Sequence, residues 1–477
     1  MGIRRSADYL AALQDGRQVW LGGQRVDVAS HPQLAPFAKA LAETYDLQHD
    51  PACRELLTVP SPTSGEPVSR AFQFPRSSED LVRQREMFEL LERRCGGVLG
   101  RFPQYMGSAL LGLYNLRDVL AQSSPEHADN LVRYLEHCRE RDLYLTFGFT
   151  DPPRDRRLPA STLEYLHVVE RRPDGIVVRG AKAVATAAPY ADEYLCLTAP
   201  RPDLAPEHIL YFAIPIASKG LEIVCRESYT EACKIDHPLS STFDEIDAWA
   251  VFDDVFVPQE RIFFLDRVDL NESVFRQTPA AWGYYFGLIR LAVKAEALAG
   301  ICFAVTDYLG TRDTPRSQEL LADVLTHLES LRAFIHAAER DPLFSKDGLA
   351  LPKPLYVQLG RVSSLEQHPR VLEAVRELCG SSLLMAPGSA ELDSPEIGPI
   401  LRHFLAGDDE RARERFRMMK LAWEYTGGSF ASRQLLFEQN NAGTLSTNKA
   451  RLVGSYDPAP LVRLARELAG IEGVPSP

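Results

Sequence analysis

The chain has 477 residues, more than one hydrophobic core usually organises, so we expect roughly two or three domains. Hydrophobic residues make up 45% of it, the formal net charge is -12 with both signs mixed along the chain, and no apolar run could span a bilayer, so we expect neither nucleic acid nor a membrane as a partner. The eight scattered cysteines form no CxxC pair, which predicts reduced thiols and a cytoplasmic location.

Residues 1–146 carry mainly helical patterns. Ser77 and Ser78 can cap a helix that Gly96 and Gly97 end. Ser124, followed by proline, starts another helix whose apolar residues recur at helical spacing. Those apolar residues are Leu131, Tyr134, Leu135 and Cys138. We therefore predict a mainly helical N-terminal domain over residues 1–146.

The pattern changes to strands in residues 147–270. Residues 163–169 alternate and are rich in β-branched types, and the turn sequence Arg-Pro-Asp-Gly follows at residues 172–175. Further strands are predicted at residues 176–178, 194–198, 209–216, 221–225 and 247–257, the last a buried strand that contains the acidic pair at 253–254. Antiparallel strands at this spacing predict a barrel or a sandwich.

Residues 271–477 are helical again. Long amphipathic segments are predicted at residues 281–309, 316–338, 365–379 and 410–439, and a shorter one at 459–468. Four long helices of this kind predict a four-helix bundle as the C-terminal domain.

Common catalytic signatures are missing from the sequence. It has no GxxxxGK[ST] loop for a nucleotide phosphate, no GxSxG elbow for a serine nucleophile and no HExxH pair for a metal. We therefore predict no metal site and no nicotinamide-binding domain.

Arg101 and Tyr105 form the first candidate site, on either side of Pro103. The guanidinium is charged at every relevant pH and offers forked donors, and the phenol adds a directional hydroxyl. The two side chains can converge on one oxyanion, although a helix-terminal arginine beside a packed tyrosine has the same spacing.

Two glycine-rich or small-residue segments are further candidates. Residues 180–189 read GAKAVATAAP, and small residues at the end of a strand let a flat ring approach the backbone. In the predicted helix 410–439, Gly427 and Gly428 precede Ser429 and Arg433, at a cost of roughly 1 kcal/mol for each glycine relative to alanine. The glycines indicate close approach of a ligand or of another helix.

These segments, with the stretch from Cys225 to Phe264, closely resemble the reduced-flavin monooxygenase family typified by the oxygenase component of 4-hydroxyphenylacetate 3-monooxygenase. The resemblance covers nearly the whole chain. It implies an α+β, acyl-CoA dehydrogenase-like fold with an N-terminal helical domain (1–146), a middle β-barrel (147–270) and a C-terminal four-helix bundle (271–477).

The resemblance also implies an activity. A separate reductase supplies FADH2, O2 adds to give a flavin C4a-hydroperoxide, and the enzyme hydroxylates an aromatic substrate. A phenol derived from tyrosine or from secondary metabolism is the first expectation. The family also implies a homotetramer built through the helical bundle.

Site residues follow from the same resemblance. Arg101 and Tyr105 are expected to hold the phenol oxygen, with Arg101 also beside the cofactor. Phe147 and Phe149 are expected to line the substrate pocket. The expected FAD contacts are Thr146, Ala185, Thr186 and Ala187 at the ring, and Ser429 and Arg433 at the phosphates or adenine.

Phe147 departs from the family, which has a histidine at this position. A phenyl ring cannot donate, accept or move a proton, so either another group supplies the proton path or the substrate differs. The alternative is a flavin-dependent N-hydroxylase or another oxidation that needs no phenolate. A dehydratase-like relative would need cysteine and histidine ligands for an iron–sulfur cluster, and near Arg101 the sequence offers only Cys95. Substrate identity, the position of oxygen insertion and whether the substrate is carrier-bound stay open.

Overall fold

The computed structural model describes residues 2–153, 155, 157, 165–202, 204–406 and 409–471. Its first helices are α1 Ser6–Ala12, α2 Ala35–Leu47, α3 Arg54–Leu57, α4 Ser78–Arg93, α5 Pro103–Asn115, α6 Arg117–Leu120 and α7 Pro125–Arg141. The Ser77 hydroxyl accepts a hydrogen bond from the Asp80 amide at 3.1 Å, and this confirms the predicted start of α4. Pro103 and Pro125 occupy first-turn positions, where the missing N–H group costs no hydrogen bond.

The described strands form two main sheets. The strands are β1 Gln18–Leu21, β2 Gln24–Arg25, β3 Thr58–Pro60, β4 Pro67–Ser69, β5 Leu145–Gly148, β6 His167–Arg172, β7 Gly175–Thr186, β8 Glu193–Cys196, β9 Leu210–Pro215, β10 Leu221–Cys225, β11 Asp247–Pro258, β12 Ile262–Leu265, β13 Leu343–Phe344 and β14 Ala350–Leu351. One sheet has six strands in the order β2-β1-β10-β11-β7-β6, and the other has four in the order β12-β9-β8-β5. Two hairpins, β3-β4 and β13-β14, lie apart from them.

The expectation of a closed barrel in residues 147–270 was wrong for the part of the chain that the structure describes. The six- and four-stranded sheets stay separate, and their outer strands are not paired to each other. Two pairings, β1 with β10 and β5 with β8, are also parallel rather than antiparallel. Because β1 and β2 precede residue 146, the six-stranded sheet takes strands from both sides of that proposed boundary. The predicted strand at 163–169 lies partly outside the described residues.

Strand β11 contains a bulge at the acidic pair. Its pairing with β7 shifts register between Phe252 and Val255, and Asp254 adopts a left-handed backbone with φ of 51°. The bulge turns both carboxylates outward, and Asp254 pairs with Arg179 on the neighbouring strand at 2.8 Å. The predicted buried strand therefore buries one face only.

The short helix α8 Ser240–Phe243 precedes β11. The C-terminal helices confirm the predicted helical region. They are α9 Val268–Ala281, α10 Gly283–Leu309, α11 Pro315–Arg340, α12 Pro354–Cys379, α13 Ser381–Leu384, α14 Ser389–Asp393, α15 Gly398–Ala406, α16 Asp409–Thr426, α17 Gly428–Asn440, α18 Leu445–Gly454 and α19 Ala459–Leu468. Helices α10, α11, α12 and α16 pack on one another as a bundle. No described helix is long and apolar enough to cross a bilayer.

The predicted helix at 410–439 is two helices. Gly428 has φ of 73°, a left-handed conformation that ends α16 and lets α17 start in a new direction. A Cβ atom on Gly427 would lie 2.8 Å from the Trp423 ring, so this position also has no room for a side chain. The glycine pair is thus a helix break, and it directs α17 toward the six-stranded sheet.

Candidate active site

A cavity of about 410 Å³ lies where the N-terminal helices, the sheets and the C-terminal helices meet. Its walls come from α5, from β5 and the residue after it, from α9, α10 and α12, and from the segment joining α17 to α18. A volume of this size is typical of small-molecule sites. Arg101, Tyr105, Phe147 and Phe149 all line this cavity, so the structure brings together the four residues predicted to contact substrate.

Arg101 is a buried cation without a carboxylate partner among the described residues, and only 8% of it is exposed. Its Nη1 donates to the Gly100 carbonyl at 2.9 Å. Three aromatic rings surround the guanidinium, with Cζ-to-centroid distances of 5.3 Å to Tyr105, 4.6 Å to Phe147 and 5.7 Å to Phe437. Cation–π contact stabilises the charge without neutralising it, so the remaining N–H groups can still bind an anion.

Tyr105 lies in the first turn of α5, which Pro103 begins. Its hydroxyl donates to the Gly283 carbonyl at 3.3 Å, at the start of α10. This long contact fixes the phenol at the cavity wall and leaves the oxygen lone pairs free to accept a hydrogen bond.

Phenylalanine side chains form the apolar wall. Phe147 and Phe149 are two residues apart at the end of β5 and therefore lie on the same face, with ring centroids 5.6 Å apart. Phe275 from α9 meets Phe149 edge-on at 5.3 Å. These rings exclude water from the side of the cavity next to Arg101.

Two further arginines, Arg361 and Arg451, line the helical part of the cavity. Arg361 is buried, stacks on Tyr284 with its Cζ 4.0 Å from the ring centroid, and donates only to neutral oxygens of Ala442 and Asn448. Burial lowers the pKa of Arg361 to about 10. Arg451 donates to the Tyr284 hydroxyl and to the Ala442 carbonyl, both at 3.2 Å. Because neither guanidinium has a carboxylate partner among the described residues, this wall suits an anionic ligand.

A buried ionic cluster borders the same cavity. Glu438 on α17 accepts from Arg290 and from Lys294 on α10. Burial alone would raise the pKa of Glu438, but the two cations outweigh it and hold that pKa well below its usual range. Burial, together with the charge of Lys294, lowers the pKa of His368 to about 3, so its imidazole is neutral. Arg290 and Lys294 thus share one carboxylate, and both cations have an ion-pair partner without a ligand.

Arg101 lines the cavity, but the other residues predicted to contact FAD do not belong to the cavity lining. The Thr146 hydroxyl donates to the Thr186 carbonyl at 2.7 Å, and the Thr186 hydroxyl donates to Asp247 at 2.7 Å. Arg433 donates to the same carboxylate through Nε and Nη2, both at 2.8 Å. This chain of bonds joins β5, β7, β11 and α17 behind the cavity.

The remaining predicted FAD contacts are partly buried in the fold and partly exposed. Ala185 and Ala187 are buried, and Ala187 has a left-handed backbone with φ of 61° at the end of β7. Ser429 is exposed in the first turn of α17. Arg433 Nη1 is buried and has no hydrogen-bond partner among the described residues, so one donor of this guanidinium is unused. The roles of these residues toward FAD stay predictions.

Sequence reasoning missed Arg361, Arg451 and the position of Phe437. Arginines in amphipathic helices normally face water, and nothing in the sequence distinguishes Arg361 or Arg451 from the others. Phe437 did carry a signal, because it follows Arg433 by four residues and so shares its helix face. Its ring contacts the guanidiniums of Arg101, Arg290 and Arg433, with Cζ-to-centroid distances of 5.7, 5.3 and 4.7 Å.

Comparison with known proteins gives one consistent result. Residues 5–264 match the family model described as 4-hydroxyphenylacetate 3-hydroxylase N terminal, and residues 271–470 match the corresponding C-terminal model. The chain is 33% identical to the 4-nitrophenol 4-monooxygenase/4-nitrocatechol 2-monooxygenase oxygenase component of Rhodococcus opacus, covering 98% of this chain and 91% of that protein. It is also 33% identical to the 4-hydroxyphenylacetate 3-monooxygenase oxygenase component of Thermus thermophilus, covering 91% of each.

A solved structure agrees with these sequence matches. The crystal structure of the oxygenase component of 4-hydroxyphenylacetate 3-monooxygenase, complexed with FAD and 4-hydroxyphenylacetate, superposes with a TM-score of 0.91. The two chains are 31% identical, and the match covers 98% of both.

Proposed function

The chain belongs to the 4-hydroxyphenylacetate 3-hydroxylase family, and from this premise we propose that it is the oxygenase component of a two-component, FAD-dependent aromatic hydroxylase. The observation that carries the proposal is the cavity in which the uncompensated Arg101 guanidinium faces Tyr105 beside an apolar wall. The named relatives are monooxygenases of phenols, so the N-hydroxylase alternative finds no support among them.

Reduced FAD supplies two electrons and activates O2, so that one oxygen atom enters an aromatic C–H bond and the other leaves as water. Arg101 binds the phenol oxygen of the substrate, and Tyr105 hydrogen-bonds the same oxygen and fixes the ring orientation. Phe147, Phe149 and Phe275 exclude water from the reacting ring. The substrate carbon that reacts is the one that this orientation turns toward the cofactor.

The residues present fit FAD. Arg361 and Arg451 are guanidiniums without a carboxylate partner among the described residues, and the diphosphate of FAD is an anion of the kind that they would bind. Gly283 and Gly287 present bare backbone to the cavity, where a Cβ atom on Gly287 would have no neighbour within 4 Å. A flat ring can lie against this wall of α10.

The expected ring contacts remain part of the proposal. Thr146, Ala185, Thr186 and Ala187 are expected to support the isoalloxazine from the layer behind the cavity lining, where hydrogen bonds join β5, β7 and β11. Ser429 and the Arg433 Nη1 donor, which has no hydrogen-bond partner among the described residues, are expected to bind the phosphates or the adenine of FAD. We expect three domains, 1–146, 147–270 and 271–477, in an acyl-CoA dehydrogenase-like arrangement, and this arrangement would position these contacts.

The partners follow from the division of labour in a two-component system. A separate reductase delivers FADH2, and the small-molecule partners are O2 and an aromatic substrate. We further propose a cytoplasmic homotetramer assembled through the C-terminal helices. Large apolar side chains there are exposed in the single chain, including Leu384 at 77%, Phe404 at 81% and Leu468 at 82%.

The test is anaerobic titration of the purified chain with reduced FAD, followed by mixing with ¹⁸O2 and a panel of phenols. We expect saturable binding of reduced FAD and one ¹⁸O atom in the product. Arg101→Met should retain binding of reduced FAD and lose most of the product, whereas Arg316→Met, which changes an exposed arginine paired with Glu377 outside the cavity, should retain both. Failure to bind reduced FAD, or product without ¹⁸O, would overturn the proposed function.

A further inference from the structure

We propose that the cavity accepts its phenol as a preformed phenolate, so that its substrates are phenols acidic enough to ionise in contact with Arg101 near neutral pH. Phenols made acidic by nitro or halogen substituents belong to this class, and simple alkyl phenols do not. The inference rests on the proposed function and specifies the substrate class of that site.

The first support is the charge state of the arginines around the cavity. Arg290 is neutralised by Glu438 at 2.6 Å, and Arg276 is paired with Glu272 at 2.8 Å. Arg101 has only the Gly100 carbonyl and three aromatic rings, and it is 8% exposed. A buried cation without a counter-ion favours the ionised form of any acid that binds it.

The second support is the lack of a proton acceptor on the described lining. Its acid–base side chains other than arginine are Tyr105, Tyr284, His368 and Glu438. The Tyr105 hydroxyl donates to Gly283, and the Tyr284 hydroxyl accepts from Arg451. A neutral hydroxyl is too weak a base to deprotonate another phenol.

The two remaining groups are also unsuited to act as a base. The Glu438 carboxylate is held by Arg290 and Lys294 at 2.6 and 2.5 Å, and the charges of these two cations outweigh burial and keep its pKa well below the usual range. His368 is neutral, with its pKa lowered to about 3 by burial and by Lys294, so it binds a proton far more weakly than a phenolate does. The other charged side chains on the described lining are Arg276, Arg290, Arg361 and Arg451, which are not bases.

The size of the pKa shift that Arg101 can cause determines which phenols ionise in the cavity. An opposite charge in contact lowers the pKa of an acid by about 1–3 units. An unsubstituted phenol has a pKa of about 10, so even the largest of these shifts leaves about half of it neutral at pH 7. A phenol whose pKa is already near neutrality becomes fully ionised by the same contact.

The direct test is spectroscopic and needs no turnover. The chain, loaded anaerobically with reduced FAD, is titrated with 4-nitrophenol at one pH unit below the solution pKa of this ligand. We expect the bound ligand to show the phenolate absorption band, with its ionisation constant raised by at least about tenfold. Arg101→Met should abolish the band shift, Arg101→Lys should retain part of it, and Arg316→Met, a change outside the cavity, should retain all of it. Bound 4-nitrophenol with the spectrum of the neutral phenol would overturn the inference.

The kinetic test compares the pH dependence of kcat/KM for phenols of different acidity. In the wild type we expect the acidic limb to shift with the pKa of each substrate. Phe147→His places an imidazole beside Arg101, so it should raise turnover of weakly acidic phenols and give them a common inflection. An inflection in the wild type that is the same for all phenols would overturn the inference, and so would a selective loss of weakly acidic phenols in His368→Gln.

The two proposals fail in different ways. If no phenol gives an oxygenated product with reduced FAD and O2, the proposed function fails. If acidic and weakly acidic phenols are hydroxylated with the same pH dependence, the function stands and only the preformed-phenolate inference fails.

Discussion

Arg290 and Glu438 form a bidentate ion pair between α10 and α17, with Nη1–Oε1 at 2.6 Å and Nη2–Oε2 at 2.5 Å. Lys294, one turn further along α10, donates to the same carboxylate at 2.5 Å. The side chains of Arg290, Lys294 and Glu438 are 4%, 2% and 5% exposed, so water cannot replace any of them. This cluster holds the two helices that form opposite parts of the cavity wall.

Glu438→Gln should destabilise the fold. It leaves the buried Arg290 and Lys294 without a counter-ion, and removing one partner of a buried pair costs about 3–5 kcal/mol. Urea unfolding at pH 7 measures the free energy of unfolding. The control is Glu377→Gln, which removes the exposed partner of Arg316 and should change little. If both variants lost the same free energy of unfolding, burial of the ion pair would not explain the effect.

Asp247 should make stability depend on pH. Burial by itself raises its pKa, but Arg433 outweighs burial and lowers the pKa to about 2 from a model-compound value of 3.8. A depressed carboxyl pKa stabilises the fold above about pH 4 by about 2 kcal/mol, and this stabilisation is lost as the pH falls toward 2.

The measurement is urea unfolding of the wild type and Asp247→Asn from pH 7 down to pH 3. We expect the wild type to be more stable at pH 7 and the difference to narrow below pH 4. Asp253→Asn, which changes an exposed carboxylate on the same strand, is the control for loss of one negative charge. A difference that stays constant with pH would show that Asp247 is not stabilised in its ionised form.

Gly287→Leu should fill the cavity without unfolding the protein. A Cβ atom at this position of α10 has no neighbour within 4 Å, and leucine is a better helix former than glycine. We expect the affinity for reduced FAD or 4-nitrophenol to fall at least about tenfold, equivalent to about 1.4 kcal/mol. Gly300→Leu is the matched control, because Gly300 lies on the same helix with equal space around it but outside the cavity. Unchanged affinity in Gly287→Leu would place the ligands elsewhere.

Gly100→Ala should disturb Arg101 through Phe437. The new Cβ atom would lie 2.3 Å from the Phe437 ring, so the ring must move away from the guanidinium that it contacts. Overpacking of this kind costs about 1–3 kcal/mol. The melting temperature and the affinity for 4-nitrophenol should both fall. The added substitution Phe437→Leu should recover part of the stability. A double variant no more stable than Gly100→Ala would show that the clash is not the cause.

Helix positions were predictable because local signals decide them. The Ser77 cap, the first-turn Pro103 and the long amphipathic stretches each mark an element through residues close in sequence. Sheet closure was not predictable in this way. The parallel pairing of β1 with β10 joins residues about two hundred positions apart, and no local pattern in Gln18–Leu21 specifies that partner.

The grouping of the four residues expected at the substrate was predictable, and the charge balance around them was not. Arg101, Tyr105, Phe147 and Phe149 line one cavity, and their roles toward the substrate stay predictions. The sequence could not show that Glu438 neutralises Arg290 while Arg101 stays without a carboxylate, because both relationships depend on how α17 packs. The helix break at Gly428 decides that packing, and the sequence pattern had predicted a continuous helix there.

The cavity is built from α5 and from the segment between α17 and α18, two parts of the chain that are far apart in the sequence. Local unfolding of either part would therefore open the wall that faces Arg101. Loss of the packing of α17 and α18 alone would remove the enclosed site even if α5 stayed folded, so ligand binding in this cavity reports on the packing of both helical parts at once.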